Sequence, residues 1–378
     1  MRYYDRSRSV QDWKCPRSRY WQYEHAGRGV VPGTTPLELY LGTTLHDGLA
    51  AIGMQHLQGG VDIDLIASTA FQQTYQSLVD QSSGEAEFEA IQFAKEQATL
   101  VEGLLRGFHA YVWPTLMESY PKILAVEQEM TYTTGNFTFM AKPDLVVEDP
   151  EGSPFYVEYK STSSKKPEWV NSWNTAVQLH STLKAIEESL GVKPIGVVVA
   201  GLYKGYVAYG KQTSPMCYAY HRKGIPPFQE EAFSYDYKQG YKKVPTWELP
   251  GGVKGWVEGM PSEALAEQFP MTPPIFVKDD MIEAFFQQRR MREAEISLAL
   301  DMMKQSDDES KEGIMNVTFP QRFDQCVPSF GKPCPYRQLC FGPQVDPIEQ
   351  GYSWREGHHQ PEMDALAMMK EQETPCQV

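Results

Sequence analysis

A strand–turn–strand pattern followed by a helix and a further strand, over residues 137–203, constrains the fold of this chain more than any other feature. Two runs rich in β-branched and aromatic residues, FTFMAKPDLVVE and FYVEYKST, flank the turn DPEGSP and predict an antiparallel hairpin. A helical stretch from Pro167 to Gly191 separates the hairpin from the strand PIGVVVAGLYKG. A helix between two strands allows them to run parallel, so this order predicts a mixed sheet with a crossover helix.

Helical patterns dominate the chain before this region. Apolar residues recur at helical spacing in 37–57 and 85–113, and Pro114 is expected to end the second helix. Residues 9–25 predict one helix or two short ones, with capping-box spacing from Ser9. The run KILAVEQEMTYTT predicts a strand before the hairpin. The fold class predicted is therefore α/β, with a mixed sheet flanked by helices.

The changes in pattern divide the chain into five segments. We interpret them as an N-terminal helical region, a core that contains the hairpin, a β-rich insertion or flap, a C-terminal helix with a cysteine segment, and a polar tail that is only loosely ordered or disordered. In that order the segments are residues 1–120, 121–203, 204–278, 279–345 and 346–378.

Composition bears mainly on the compartment of the protein. No apolar run approaches the ~18 residues needed to span a bilayer, and the N-terminus lacks the features of a signal peptide. We therefore expect a cytoplasmic protein without membrane partners, in which the six cysteines are thiols or metal ligands rather than disulfides. The net charge of −14 argues against non-specific affinity for nucleic acid, although only the local field matters at a binding groove.

The hairpin carries carboxylates where a buried strand usually carries valine. Residues two apart on a strand face the same side, so Glu158 and Lys160 project together, and strand pairing brings Asp144 beside them. Two carboxylates and a main-chain carbonyl, that of Tyr159, suit Mg²⁺ or Mn²⁺. A lysine beside them can orient a water and stabilise developing phosphate charge. The set indicates metal-dependent phosphodiester hydrolysis; the alternative is a solvated hairpin with a cross-strand salt bridge.

Three further residues each have two interpretations. His46 shares a helix face with Gly42 and Gly53, which leaves room for an approaching group, but a lone helical histidine is more often structural. Gln178 lies on a polar stripe of the crossover helix that faces either the site or solvent. Glu127, on the preceding strand, is either a second acid near the site or a surface residue.

The motif KPD, thirteen residues and then EYK, followed by a helix with Gln178, resembles the PD-(D/E)XK nuclease superfamily. Upstream, CPRSRYWQY and LGTTLHDGL are similar to the N-terminal signature of its RecB-like branch. The resemblance implies a restriction-endonuclease-like sheet, with Lys160 as the catalytic lysine and Gln178 as the glutamine of the crossover helix. The metal ligands that it implies are His46, Asp144, Glu158 and the carbonyl of Tyr159. Thr182 stands where the family usually has a tyrosine.

Cysteines near both ends of the chain form a second pattern. The late cysteines have the spacing C-x7-C-x5-C, and one more stands near the start; the four are Cys15, Cys326, Cys334 and Cys340. This arrangement resembles the iron–sulfur variant of the RecB-like nucleases, found in AddB-type subunits and CRISPR-associated nucleases, and implies a [4Fe–4S] cluster. Thiolates suit zinc equally well by ligand type, and unrelated buried thiols are a third interpretation. We interpret Cys217 and Cys376 as bystanders.

The resemblance implies a DNA nuclease, an exonuclease on linear or single-stranded DNA, as in phage exonucleases. It would act in recombination, repair or phage DNA metabolism, in the host cytoplasm if phage-encoded. Expected partners are single-stranded DNA or linear duplex ends, and a recombination or helicase protein. Two alternatives stay open: a non-catalytic DNA-binding subunit with a nuclease-like fold, and an endonuclease stabilised by zinc.

Overall fold

A computed structural model describes most of the chain. It covers residues 2–33, 37–80, 87–135, 137–163, 167–173, 176, 178–205, 207–208, 211–212, 214–222, 241–327, 333–342 and 345–355. The middle of the predicted flap, 223–240, and the predicted tail after residue 355 lie outside the described residues.

The described residues form both helices and strands, mostly in runs of one kind. The helices are α1 Arg6–Lys14, α2 Pro16–Arg19, α3 Leu37–Leu57, α4 Ile63–Asp80, α5 Glu87–Gly107, α6 Trp113–Ser119, α7 Pro167–Ser172, α8 Gln178–Leu190, α9 Gly252–Glu258, α10 Ser262–Gln268, α11 Asp279–Gln305, α12 Asp308–Thr318, α13 Phe323–Cys326 and α14 Arg337–Phe341. The strands are β1 Arg2–Asp5, β2 Val30–Pro32, β3 Lys122–Val126, β4 Met130–Thr134, β5 Phe137–Ala141, β6 Leu145–Glu148, β7 Pro154–Thr162, β8 Gly196–Tyr203, β9 Val207–Ala208, β10 Lys211–Gln212, β11 Tyr218–Arg222, β12 Tyr241–Pro245 and β13 Tyr352–Trp354.

The chain divides into two compact units. The larger comprises Pro36–Thr133 and Phe139–Phe285, and the smaller comprises Met1–Thr35, Thr134–Thr138 and Phe286–Val378. No helix of the described residues is long and apolar enough to cross a membrane.

A four-stranded sheet in the order β3-β6-β7-β8 lies in the larger unit. β6 pairs antiparallel with both β3 and β7, whereas β7 and β8 run parallel. The connection between the parallel strands contains α7 and α8, as a parallel pair requires. The predicted hairpin, the crossover and the mixed α/β fold class are therefore confirmed.

One face of this sheet packs against α3. Leu145, Val147 and Val157 belong to the same buried cluster as Leu45 and Leu49 of that helix. Burial of each such side chain stabilises the fold by about 1.5–3 kcal/mol. The helix also approaches β3 closely, since a Cβ at Gly53 would lie 3.1 Å from both methyl carbons of Val126. This packing places the middle of α3 next to the end of β3.

Ion pairs and a second sheet organise the smaller unit. β2 and β13 pair antiparallel, and aromatic residues such as Tyr336 and Tyr352 pack beside them. Arg19 of α2 is fully buried and makes a bidentate contact with Glu293 of α11, with nitrogen–oxygen distances of 2.7 and 2.5 Å. Asp12 of α1 accepts hydrogen bonds from two further arginines of α11.

Several predicted boundaries were wrong, each for a local reason. α1 begins at Arg6 and is capped by Asp5, which accepts from the N–H of Arg8, and not by Ser9. Pro114 does not end a helix: α5 ends at Gly107, a π-helical turn follows, and Pro114 occupies the first turn of α6, where a proline has no hydrogen bond to break.

The predicted long strands and the crossover helix are each interrupted. KILAVEQEMTYTT forms β3 and β4, FTFMAKPDLVVE forms β5 and β6, and the crossover contains two helices instead of one. α4 was not predicted, because its buried residues are mostly small: Ile66, Ala67, Ala70 and Thr74. Such a stripe gives a weaker periodic signal than the leucines of α3.

Candidate active site

Three carboxylates occupy neighbouring positions at one end of the central sheet. β3, β6 and β7 share a row of register partners, Val126, Leu145 and Val157. The next position on each strand, at the same end, is Glu127, Asp144 and Glu158. Because adjacent strands lie about 4.8 Å apart, register alone brings these carboxylates together.

His46 of α3 joins two of these carboxylates. Its Nδ1 lies 3.0 Å from Oδ1 of Asp144 and 3.6 Å from Oε1 of Glu127. One ligand atom from each of the three residues lies within 4.8 Å of the others, a spacing that no other histidine, cysteine and carboxylate group reaches among the described residues. One imidazole nitrogen and two carboxylate oxygens form a donor set that fits a divalent cation.

Glu127 enters the site through an unusual backbone conformation. Its φ of 45° lies in the left-handed region, which costs a residue with a side chain roughly 1–2 kcal/mol. Its N–H donates to the carbonyl of Asp144 at 3.1 Å, and its Oε2 lies 3.0 Å from Nζ of Lys142. The sequence left the role of Glu127 open because strand spacing does not reveal which residue of β3 pairs with Leu145.

Glu158 and Lys160 form the other half of the site. Nζ of Lys160 lies 2.5 Å from Oε1 of Glu158, and both residues project from the same side of β7. The N–H of Tyr159 donates to Oδ2 of Asp144 at 2.5 Å, while the Tyr159 side chain is buried in the core. Glu158 does not belong to the three-residue group around His46, so its role as a metal ligand stays a prediction, as does that of the Tyr159 carbonyl.

The crossover helix does not test the predicted role of Gln178. This residue is the first of α8, and its side chain lies outside the described residues. Thr182, one turn later, is buried.

The charged groups of this site shift one another's pKa. Burial alone would lower the pKa of His46, but the charge of Asp144 and hydrogen bonds to Asp144 and Glu127 raise it to about 10. Burial and the charge of Glu158 raise the pKa of Asp144, against the opposing effects of His46 and Lys160. For Glu127, burial raises the pKa, and the hydrogen bonds with His46 and Lys142 outweigh it. Without a cation, His46 is therefore protonated at neutral pH.

Metal affinity should rise with pH. The proton on His46 must leave before its nitrogen binds a cation, so below the pKa of about 10 the proton competes with the metal. Apparent affinity for Mn²⁺ should increase about tenfold from pH 7 to 8, with release of about one proton per ion. Calorimetry in two buffers of different ionisation enthalpy measures this release. If His46→Gln releases the same number of protons on binding Mn²⁺, or if the affinity does not depend on pH, His46 is not the ligand that loses the proton.

Glu127 should contribute to metal affinity although the sequence left its role open. Glu127→Gln removes one anionic oxygen from the three-residue group and should weaken Mn²⁺ binding at least about tenfold. The matched control is Glu129→Gln, which removes a charge from the same segment outside this group and should change affinity less than about twofold. If the two variants lose the same Mn²⁺ affinity, Glu127 acts only through its general negative charge and is not a ligand.

The four predicted cysteine ligands lie in the smaller unit. All are free thiols, and the N–H of Cys334 donates to the carbonyl of Cys326 at 3.0 Å. Burial raises the pKa of Cys326, Cys334 and Cys340, and the neighbouring thiols, with Cys15 acting on all three, add to this rise. Buried thiols without a metal would show the same rise, so the metal-containing group that the resemblance implies for these residues stays a prediction.

Comparison with known proteins agrees with this geometry. No curated protein matches the chain in sequence. A family model of the PD-(D/E)XK nuclease superfamily matches residues 13–341, a range that includes His46, the three carboxylates and the four cysteines. Most of the chain is thus covered by a family of phosphodiester-cleaving nucleases, in agreement with the resemblance of KPD and EYK. The chain belongs to the PD-(D/E)XK nuclease superfamily.

Proposed function

We propose that this protein is a Mg²⁺- or Mn²⁺-dependent deoxyribonuclease that degrades linear or single-stranded DNA from its ends. Membership of the nuclease superfamily supports hydrolysis of phosphodiesters. The observation that carries the proposal is the convergence of His46, Glu127 and Asp144 within 4.8 Å, at the strand ends that also present Lys160. A non-catalytic subunit would have no need for buried, coupled charges at this position.

His46, Glu127 and Asp144 would hold the cation, together with Glu158 and the carbonyl of Tyr159. A divalent cation bound there supplies Lewis-acid stabilisation of the charge that develops on the phosphate. Lys160 donates hydrogen bonds to a phosphate oxygen and stabilises the same charge from the side of β7. Water then forms a bond to phosphorus while the phosphorus–oxygen bond to the sugar breaks, and the proton lost by water is balanced by the one that the leaving oxygen gains.

Cleavage of labelled DNA tests this function. The substrates are end-labelled linear single strands, linear duplexes and closed circular DNA, each with Mg²⁺, with Mn²⁺ or with EDTA. The proposal expects metal-dependent loss of linear DNA with circles left intact. Cleavage of circles would favour an endonuclease, and binding without cleavage would favour the non-catalytic subunit.

The four cysteines are proposed to hold a [4Fe–4S] cluster, as in the RecB-like branch that the sequence resembles. A single zinc ion, with zinc–sulfur bonds of about 2.3 Å, draws its sulfurs to roughly 3.8 Å from one another. No three of these cysteines form such a close group among the described residues, so the choice of a cluster over zinc rests on the resemblance. Iron, labile sulfide and zinc contents of anaerobically purified protein separate the two groups.

The same resemblance supports a role in recombination, repair or phage DNA metabolism in the cytoplasm. A helicase or recombination protein would then supply single strands or duplex ends. Co-purification of such a partner with the tagged protein from its native host would test this setting.

A further inference from the structure

A pocket in the smaller unit has a composition that the proposed catalytic chemistry does not use. Its volume is about 370 Å³, within the range of ligand pockets. Three arginines line it, Arg289, Arg292 and Arg322, and its other walls include Trp13, Pro16 and Pro320. Arginine side chains bind the phosphate of a nucleotide, and an aromatic ring stacks on its base.

Arg289, one of the residues that line this pocket, carries buried hydrogen-bond donors without a partner among the described residues. The residue is 1% exposed, and its Nη2 contacts Asp12 at 3.0 Å. Within the described part of the chain, its Nε and Nη1 have no hydrogen-bond acceptor. A buried donor without a partner costs about 1–3 kcal/mol, and more when it is charged. A ligand that supplies anionic oxygens would remove that cost.

The other two arginines differ in whether their side chains already pair with carboxylates. Arg292 is committed to Asp12, Glu295 and the carbonyl of Thr318, and contributes mainly charge. Arg322 is exposed and forms no ion pair with a carboxylate of the described residues. Asp12 also lines the pocket and balances Arg289 and Arg292, so Arg322 is the lining arginine without a carboxylate partner among the described residues.

Trp13 covers the buried guanidinium. The Arg289 guanidinium carbon lies 5.4 Å from the centre of the Trp13 ring, and 38% of the tryptophan surface is exposed. Nε and Nη1 of Arg289 are buried, so a phosphate would reach them only if a covering side chain such as Trp13 moved aside. Stacking of a base on an aromatic side chain is worth about 1–3 kcal/mol.

We propose that this pocket binds one nucleotide of single-stranded DNA, with its phosphate on Arg289 and Arg322 and its base stacked on Trp13. The choice of DNA as the source of the phosphate rests on the proposed function. The pocket would hold the strand at a second point, apart from the site that cleaves it.

Binding of a fluorescein-labelled oligothymidylate, followed by anisotropy in EDTA to prevent cleavage, tests the proposal. Arg322→Gln should weaken binding about three- to tenfold and lower the slope of log affinity against log salt by about 0.7, the value of one phosphate contact to a single strand. Trp13→Leu should weaken binding about tenfold with an unchanged salt slope, because stacking releases no counterions. The control Lys304→Gln removes an exposed positive charge of the same unit outside the pocket, and should bind like the wild type.

A second measurement separates a nucleotide site from a plain anion site. Thymidine monophosphate should compete with the oligomer more strongly than inorganic phosphate does, and Trp13→Leu should abolish that difference. If Arg322→Gln and Trp13→Leu both bind the oligothymidylate as tightly as the wild type does, the proposed nucleotide site is wrong, even if the wild type cleaves DNA. Failure to cleave, with both variants weakened as described, counts against the proposed function alone.

Discussion

Asp144→Asn should lower the rate of DNA cleavage at least about 10³-fold while leaving the fold intact. Asp144 is buried, bonds to His46 through one oxygen and to the N–H of Tyr159 through the other, and belongs to the group that fits a cation. An asparagine keeps the shape but loses the charge that pairs with His46 and that would hold the proposed cation. Loss of several kcal/mol of Lewis-acid stabilisation, at 1.36 kcal/mol per tenfold in rate, gives about this factor.

The readout is single-turnover cleavage of end-labelled single-stranded DNA, with DNA affinity measured in EDTA. The control Asp279→Asn removes an exposed carboxylate of the same unit, which pairs with Lys193 at the surface, and should cleave at the wild-type rate. A tenfold loss or less in Asp144→Asn would mean that the cation is held elsewhere.

Glu293→Gln should reduce the free energy of unfolding of the smaller unit by about 3–5 kcal/mol. Glu293 and Arg19 are both fully buried and joined by two charge-assisted hydrogen bonds. The glutamine leaves the Arg19 charge uncompensated on that side, with Glu24 at 3.2 Å as its nearest remaining carboxylate. Removal of one partner of a buried ion pair typically has a cost of this size.

Thermal and urea denaturation measure this loss, and the chain offers a close control two residues along the same helix. Glu295 pairs with Arg292 at 2.9 Å but is 58% exposed, so Glu295→Gln should change stability by less than about 1 kcal/mol. If Glu293→Gln and Glu295→Gln lower the free energy of unfolding equally, stability depends on the total charge of α11 and not on the buried ion pair.

The sequence predicted those parts of the fold for which a pattern of residues is compatible with a single structure. The leucine spacing of α3 predicted its bounds, and the hairpin followed from two strand-like runs around a turn rich in proline and glycine. Asp144, Glu158 and Lys160 could be chosen as candidates because a charge in an apolar strand is unusual and because their spacing matches a nuclease motif. His46 required the family resemblance, since a single histidine on a helix has no diagnostic spacing of its own.

The rest depended on contacts that sequence spacing does not encode. Glu127 joins the site through the β3–β6 register and a left-handed backbone conformation, neither of which its neighbours in sequence reveal. The pairing of Arg19 with Glu293 spans 274 residues, so nothing local to either residue points to the other. The same holds for Arg289 beneath Trp13, because exposure and missing acceptors are properties of the packed structure alone.

The most direct test of the central claim is cleavage of end-labelled linear DNA by the wild type and by Lys160→Ala, in Mg²⁺ or Mn²⁺. Lys160 approaches Glu158 at the strand ends, and loss of one such donor to the phosphate should lower the cleavage rate about 10²- to 10³-fold, with DNA affinity nearly unchanged. Lys122→Ala, which removes an exposed lysine of the same sheet, should cleave normally. Equal cleavage by the wild type and Lys160→Ala would show that the hydrolysis occurs at another site.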